Sequence, residues 1–305
     1  MCPNSNKKQL MLWLDDSIRQ PLINLTMMEF NKRTGHLIGQ TYVCGFPKSG
    51  TTWIAKMVAG YLGLPFLGGT YVAFGFPGVI HNHWDYHPSF DQTIYVIRDG
   101  RDVLISVYMS VTKGYLARKQ ALKELGSKAP MSLISQNIGR FANIEKRFRK
   151  LYGSKFDPMN VMENMPRFIE AELKKPFIIE TQTPWHKHIQ LWRSNAQKTT
   201  FVHYEKMLEN TKQCLLDALS NHFGAEKVNE KDLDYIVNRY SFENQTGRLP
   251  GQEDRKSDIR KGVAGDWQNY FNQEACQVFD YYAGNLLIDL GYEPNRSWHS
   301  STLKS

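Results

Sequence analysis

Short β-prone apolar runs alternate along this chain with longer stretches whose apolar residues recur at helical spacing. Thr41-Tyr42-Val43-Cys44-Gly45-Phe46 is one such run; it ends in Pro47-Lys48-Ser49-Gly50, and Thr51 to Leu64 then has the length and spacing of a helix. The same grammar returns at Thr93-Ile94-Tyr95-Val96-Ile97, followed by Arg98-Asp99-Gly100 and a helical stretch from Arg101 to about Thr112. A third strand is expected at Thr199-Thr200-Phe201-Val202-His203, after a helix from about Pro184 to Asn195. Strands that alternate with helices imply a parallel sheet covered on both faces, so the expected fold is α/β, one domain over residues 1–305 with helices flanking the sheet.

From Lys113 to Lys175 the pattern changes to a polar, basic, mostly helical region with weak apolar periodicity. It reads as an insertion or lid over a ligand site, or as a solvated helical pair without a functional role. Beyond Asn210 come several helices, a Gly- and Asp-containing segment over 245–265, and an amphipathic helix from about Gln273 to Leu290. No internal repeat or low-complexity tract interrupts this order.

Composition narrows the function classes. With 41% hydrophobic and 22% charged residues the 305-residue chain is globular, neither disordered nor fibrous. Its formal charge of +8, from 38 Lys and Arg against 30 Asp and Glu, suits an anionic ligand. The basic residues are dispersed without a long run, which argues against nucleic acid as the partner. Cys2, Cys44, Cys214 and Cys276 form no CxxC pair and read as reduced thiols. The apolar stretch Leu10 to Leu14 is too short for a signal-peptide core, and nothing approaches the roughly 20 apolar residues of a membrane span. A cytoplasmic protein with no integral membrane segment is expected.

A strand that runs through a turn into a helix aims backbone N–H groups and the positive helix end at one point, where a phosphate binds well. Gly45 to Thr52 has this form, with two glycines spaced as in a Walker A loop. The Lys-[Ser/Thr] that should follow the second glycine is replaced by Thr51-Thr52, and the lysine lies inside the loop as Lys48. The next clear strand ends in Arg98 where a magnesium-handling acid would be needed, so an ordinary ATPase or kinase is disfavoured.

Phe46-Pro47-Lys48-Ser49-Gly50-Thr51-Thr52-Trp53 resembles the 5′-phosphosulfate loop of the sulfotransferases that use 3′-phosphoadenosine 5′-phosphosulfate (PAPS). The resemblance implies that the loop amides with Ser49, Gly50, Thr51 and Thr52 hold the 5′-phosphate, that Lys48 touches the oxygen bridging phosphate and sulfate, and that Trp53 packs on adenine. Tyr95 to Val103, with Ser106 eight residues after Arg98, resembles the family's 3′-phosphate segment, in which Arg98 and Ser106 are the carried-over ligands. By itself Arg98 reads equally as an ion-pair partner of Asp99 or Asp102. Arg260-Lys261-Gly262-Val263-Ala264-Gly265-Asp266-Trp267 is similar to the segment that reaches back over the 3′-phosphate, with Arg260, Lys261 and Gly262 as its binding residues. Fainter echoes are Tyr204, Ser241 and Phe242 as an adenine wall, and Trp185 before its helix. The anchors lie between about Tyr42 and Phe271 and leave residues 113–175 unmatched. The family's dimer segment is not recognisable in Gln268 to Asn272, so the oligomeric state is left open.

Sulfuryl transfer to a hydroxyl needs a base, and a histidine of near-neutral pKa serves. Where the family carries Lys-Thr-His, this chain has His81-Asn82-His83, so the lysine is absent and His83 aligns with the catalytic histidine. His81 is the alternative and His87 a weaker one. His81, His83, Asp85 and His87 read instead as a metal site in a different class of enzyme, but Lys48, Arg98, Arg260 and loop amides suffice for the donor's charge, and no metal is expected.

The resemblance thus implies a P-loop-like sheet with the nucleotide at the carboxyl ends of its strands, and 3′,5′-bisphosphoadenosine (PAP) as the spent donor. His83, Lys48 and Ser106 take the catalytic positions. The acceptor is a small molecule bearing a hydroxyl or an amine, in a pocket lined by residues 66–90 and the 113–175 region, with Phe74, Phe76, Trp84 and Tyr86 as candidate aromatic walls. A nucleotide kinase, and a binding protein that holds the nucleotide without turnover, are the two rival functions.

Overall fold

The computed structural model describes residues 16–68, 76–90, 92–125, 142–177, 181 and 183–301. In chain order its elements are α1 (Asp16–Thr34), β1 (Gln40–Gly45), α2 (Thr51–Leu62), β2 (Phe66–Gly68), β3 (Gly78–Asn82), β4 (Thr93–Ile97) and α3 (Gly100–Leu125). Then follow α4 (Ala142–Tyr152), α5 (Val161–Lys174), α6 (Trp185–Asn195), β5 (Thr200–His203), α7 (Tyr204–Glu209) and α8 (Thr211–Phe223). Last come α9 (Leu233–Arg239), α10 (Phe242–Thr246), α11 (Gln273–Asp289) and α12 (Trp298–Ser301).

The sheet has five strands in the order β2-β3-β1-β4-β5, and every neighbouring pair is parallel. Successive residues of a strand point to opposite faces, and here both faces are covered. Val43, Ile94 and Val96 pack with Ile54, Met57 and Val58 of α2, and with Leu215, Leu219 and Ile236 of α8 and α9. Their neighbours Cys44, Tyr95 and Ile97 point the other way, into a larger core with Leu104, Tyr108, Phe168, Trp185, Trp192 and Phe279. This is the α/β fold expected from alternation of strand and helix patterns.

The expected strands and helices lie within a few residues of the observed ones, except that the helix expected to end near Thr112 runs on to Leu125. Two strands escaped the sequence reading: β2 has only three residues, and β3 has only Val79 and Ile80 as apolar residues before the polar His81 and Asn82, so neither shows an apolar run of strand length. The region 113–175 is not a solvated pair: its first part continues α3, and α4 and α5 bury Phe148, Met165, Phe168 and Ile169 in the main core. Residues 126–141 of the expected lid lie outside the described residues.

Parallel strands end on one edge of the sheet. Gly45 of β1 is level with Val96 of β4, Cys44 with Asn82 of β3, and Ile97 with His203 of β5. The residues that follow these ends, Phe46 to Gly50, His83, Arg98 and Tyr204, therefore converge at the carboxyl edge, where α/β sheets bind ligands.

Candidate active site

One cavity of about 1060 Å³ opens at this edge. Lys48, Gly50, Thr51, Thr52, Trp53, His83, Arg98, Ser106, Tyr204, Ser241, Phe242, Arg260, Lys261 and Gly262 all line it. Of the residues expected to bind the nucleotide or to act in catalysis, Ser49 alone lies behind the wall, fully buried.

The loop after β1 is held in an unusual backbone shape. Lys48 has φ of 71°, a left-handed conformation that costs a non-glycine residue of order 1 kcal/mol or more and clusters at ligand sites. Gly50 follows at φ 86°, and a Cβ there would stand 2.5 Å from the Tyr204 ring, so this position needs glycine on two counts. Ser49 Oγ and Thr51 Oγ1 are buried without a hydrogen-bond partner in the protein, as is Arg98 Nε. Buried polar groups are nearly always satisfied, and Thr51 and Arg98 line the cavity, so their unpartnered atoms point to a polar ligand there, and a hydroxyl and a guanidinium suit phosphate.

Arg98 leaves β4 toward the same loop. Its Nη1 donates to Lys48 O at 3.2 Å, its Nη2 to Val263 O at 3.3 Å, and its guanidinium lies 4.3 Å from the Tyr204 ring centre. The ion-pair alternative raised by the sequence is met in part, since Asp102 stands 3.8 Å from Arg98, whereas Asp99 is taken by Arg101 at 2.7 Å. Asp102 does more than pair. Its carboxylate accepts from Gly265 N at 2.7 Å and Trp267 N at 2.8 Å, tying the Arg260–Trp267 segment to the start of α3. Ser106 lies on α3 one turn beyond Asp102 and faces the cavity together with Ser110 and Lys113.

The C-terminal segment brings its cations already paired. Asp266 takes Arg260 and Lys261, each at 2.5 Å, and Glu253 also pairs with Arg260 and, at 3.2 Å, with Arg255. Burial pushes the Asp266 carboxyl up, but Lys261 and Arg260 outweigh it and hold it below the usual range. Three cations against two carboxylates leave the cluster positive. Gly262, at φ 67°, lets the chain pass the Phe242 ring, which a Cβ would meet at 2.2 Å. Ser241 caps α10, its Oγ accepting from Asn244 N at 3.2 Å, and so aims Phe242.

The three histidines of 81–87 separate cleanly. His83 Nδ1 is 2.6 Å from Gly45 O; a carbonyl only accepts, so Nδ1 carries the proton and Nε2 is the basic nitrogen of the neutral ring. His81 also lines the cavity, with its Nε2 3.3 Å from Thr52 Oγ1 and its ring edge-on to His83 at 4.7 Å. Burial, and secondarily His83, push its pKa down to about 3. His87 accepts from Ser89 N at 3.2 Å and does not line the cavity. Asp85 accepts from Thr183 Oγ1 at 2.7 Å, and among the described residues no three His, Cys, Asp or Glu side chains converge as metal ligands do.

The same cavity is also lined by Val111, Ile144 and Phe177, from α3, α4 and the residues after α5, and by Lys56 of α2. The sequence reading named none of these four, because an apolar wall built from dispersed residues has no motif. Lys56 lies one turn beyond Thr52, over Phe66 at 5.9 Å, and that spacing was the available signal. Trp84 and Tyr86 are not pocket walls. Trp84 packs in the core on Tyr42 and Phe90, Tyr86 lies on Trp192, and Phe76 is exposed, while Phe74 lies outside the described residues. Trp185 is likewise core, wedged against Phe279 and Gly100.

Comparison with known proteins gives the family. The family described as "Sulfotransferase domain" matches residues 81–291. The chain belongs to the sulfotransferase family. It is an enzyme, a PAPS-dependent sulfotransferase. Sulfotransferase 1B1 of Canis lupus familiaris is 24% identical over 278 residues, 83% of each chain. Among solved structures, mouse sulfotransferase SULT7A1 complexed with PAP is similar with a TM-score of 0.54 at 18% identity, covering 83% of this chain and 87% of that one. Retinol dehydratase in complex with androsterone and inactive cofactor PAP gives 0.51 at 16% identity, covering 82% and 81%. At these identities the structural likeness is one of fold.

Proposed function

We propose that this sulfotransferase moves a sulfuryl group from PAPS to a hydroxyl or amine of a small acceptor, with His83 as general base. PAPS supplies an activated sulfuryl group whose leaving group is PAP. The observation that carries the base is the hydrogen bond from His83 Nδ1 to Gly45 O, which turns Nε2 into the proton acceptor at the end of β3. His81 is the poorer base, since burial holds its pKa near 3 and Thr52 already engages its Nε2.

The chain's own groups divide between the two ends of the donor. Loop amides with Ser49, Thr51 and Thr52 take the 5′-phosphate, and Lys48 meets charge that grows on the leaving oxygen. Arg98, Ser106, Arg260, Lys261 and Gly262 take the 3′-phosphate, with Trp53, Tyr204, Ser241 and Phe242 around adenine. Ser49 Oγ, Thr51 Oγ1 and Arg98 Nε, buried and unpartnered within the protein, support this division. The acceptor end is walled by Val111, Ile144 and Phe177 and suits a molecule with an apolar body and one polar reacting group.

Turnover is measured with PAPS and a panel of alcohols, phenols, amines and sugars, reading the mass of a product with an added sulfonate. A single acceptor class is expected to react, and activity is expected to survive EDTA because protein cations face each anionic group of the donor. Tight PAP binding without any sulfonated product from wild-type protein would replace this reading with that of a binding protein. No helix among the described residues is long and apolar enough to cross a membrane.

A further inference from the structure

We propose that His188 is the positioning residue of the base: its buried imidazole donates one N–H to the carbonyls of His83 and Trp84 and fixes the backbone from which His83 is presented. His188 Nε2 lies 3.3 Å from His83 O and 3.1 Å from Trp84 O, while its Nδ1 lies 2.6 Å from Tyr95 Oη. The proposal rests on the assignment of His83 as base.

The strand ladder explains why such a residue is needed. Pairing of β3 with β1 ends at Asn82 opposite Cys44, so the next two residues leave the sheet and lose its hydrogen bonds. Their carbonyls point inward, and a buried carbonyl without a donor costs about 1–3 kcal/mol. His188 supplies the donor to both. Trp192 Nε1, one turn further along α6, adds a second donor to Trp84 O at 3.1 Å, and Cys44 Sγ a weak third at 3.5 Å. His83 is thereby held at two points, its side chain by Gly45 O and its main chain by His188.

The tautomer of His188 follows from its partners. Two carbonyls face Nε2, so Nε2 carries the hydrogen, and Nδ1 of the neutral ring accepts from the Tyr95 hydroxyl. Burial pushes the His188 pKa down to about 4, which keeps the ring neutral at working pH. Asp85 is 3.8 Å from Nε2, beyond hydrogen-bond reach, and its other oxygen is taken by Thr183. The two histidines therefore hold opposite tautomers. His83 is protonated on Nδ1 to work through Nε2, and His188 on Nε2 to hold its neighbour.

The test compares His188→Leu, which keeps bulk and loses the donor, with His188→Gln, whose side-chain N–H reaches a similar place. Each is measured for turnover at saturating PAPS and acceptor, and for PAP affinity by calorimetry, beside His83→Ala. Misplacing a catalytic group by about 1 Å costs on the order of 100-fold, so His188→Leu is expected to lower kcat about 10- to 100-fold with PAP affinity within about twofold of wild type. His188→Gln is expected to recover most of that rate. Should His188→Leu not fold, His188→Gln and Tyr95→Phe decide: near-wild-type kcat in the first and a severalfold loss in the second, both with unchanged PAP affinity, support the proposal. It is overturned if His188→Leu turns over at the wild-type rate, if His188→Gln is as slow as His188→Leu, if Tyr95→Phe keeps full rate, or if PAP affinity falls in step with kcat. Failure of the base assignment is separately visible, as an active His83→Ala.

Discussion

The two ends of the cavity are built on different principles. The end proposed for the nucleotide is assembled from three contiguous segments, 45–53, 98–106 and 260–267, each placing polar groups on the cavity. The end proposed for the acceptor takes single residues from distant elements, His83 after β3, Val111 on α3, Ile144 on α4 and Phe177 after α5. A dianion demands cations, amides and hydroxyls at fixed spacing, and a short stretch of chain can supply them. An apolar wall demands only bulk in the right place, which any element can bring. The nucleotide end should therefore fail by loss of binding, and the acceptor end by loss of rate or selectivity.

The sharpest break of that contrast is His83→Ala. A general base contributes roughly 10²–10⁴-fold in rate and little to nucleotide affinity, so turnover should fall by that factor while PAP binds as in wild type. Rapid-quench turnover and calorimetry on one preparation measure both. A dead His81→Ala beside an active His83→Ala would move the base to β3 itself.

Arg98→Ala should do the reverse. Charge-assisted hydrogen bonds contribute roughly 1.5–3 kcal/mol each, so PAP affinity should drop by about 10- to 100-fold, with 5′-AMP affinity changed far less. The link from Asp102 to Gly265 and Trp267 adds a corollary, because Asp102→Asn should also weaken PAP without touching any ligand group. Equal losses for PAP and 5′-AMP in Arg98→Ala would remove the 3′-phosphate site from this end of the cavity.

The same division decided what could be read from the sequence. Lys48, Thr51, Arg98 and Arg260 were legible because their motifs are local, and β1, β4 and β5 because each is an apolar run ended by turn residues. Strands β2 and β3 were not, since β2 has three residues and the apolar part of β3 is Val79 and Ile80 alone. Phe177 and Ile144 carry no chemistry that marks them in one dimension. His188 looks like one more core residue between Trp185 and Trp192, and only the turn after β3 gives its N–H a purpose.

Behind the acceptor wall sits Glu172, fully buried, with Oε2 accepting from Phe177 N at 2.6 Å and Oε1 unpartnered. Burial pushes its pKa up to about 7 from 4.5, with the Phe177 N–H and Arg147 opposing. A carboxyl whose folded pKa exceeds its unfolded one destabilises the fold once ionised; the penalty is absent below about pH 4.5, grows between the two values and is complete above about pH 7. Glu172→Gln should thus stabilise the protein at pH 8, by on the order of 1–3 kcal/mol, and leave it nearly unchanged near pH 4.5. Denaturant midpoints at the two pH values measure it. Equal gains at both would mean that ionisation of Glu172 is not the cause.

The smallest effect asked of the comparison comes from Ile144→Val, which removes one methylene from the wall at a position only 6% exposed. Burying a methylene is worth about 0.8 kcal/mol, close to a fourfold change in an equilibrium constant. If the acceptor rests on this wall, its KM should rise about two- to fourfold, and an acceptor larger by one methyl at that contact should regain part of the loss. PAP affinity should not move, because the nucleotide is held by charges and amides of other segments. The rate at saturating acceptor should not move either, since Ile144 carries no polar group for the reacting atoms and His83 is fixed by Gly45 O. Steady-state kinetics with two acceptors that differ by one methyl, beside calorimetry with PAP, separate these quantities. A shift in PAP affinity as large as the shift in acceptor KM would show that the two ends are coupled through α4, and the division into a binding end and a shaping end would fail there first.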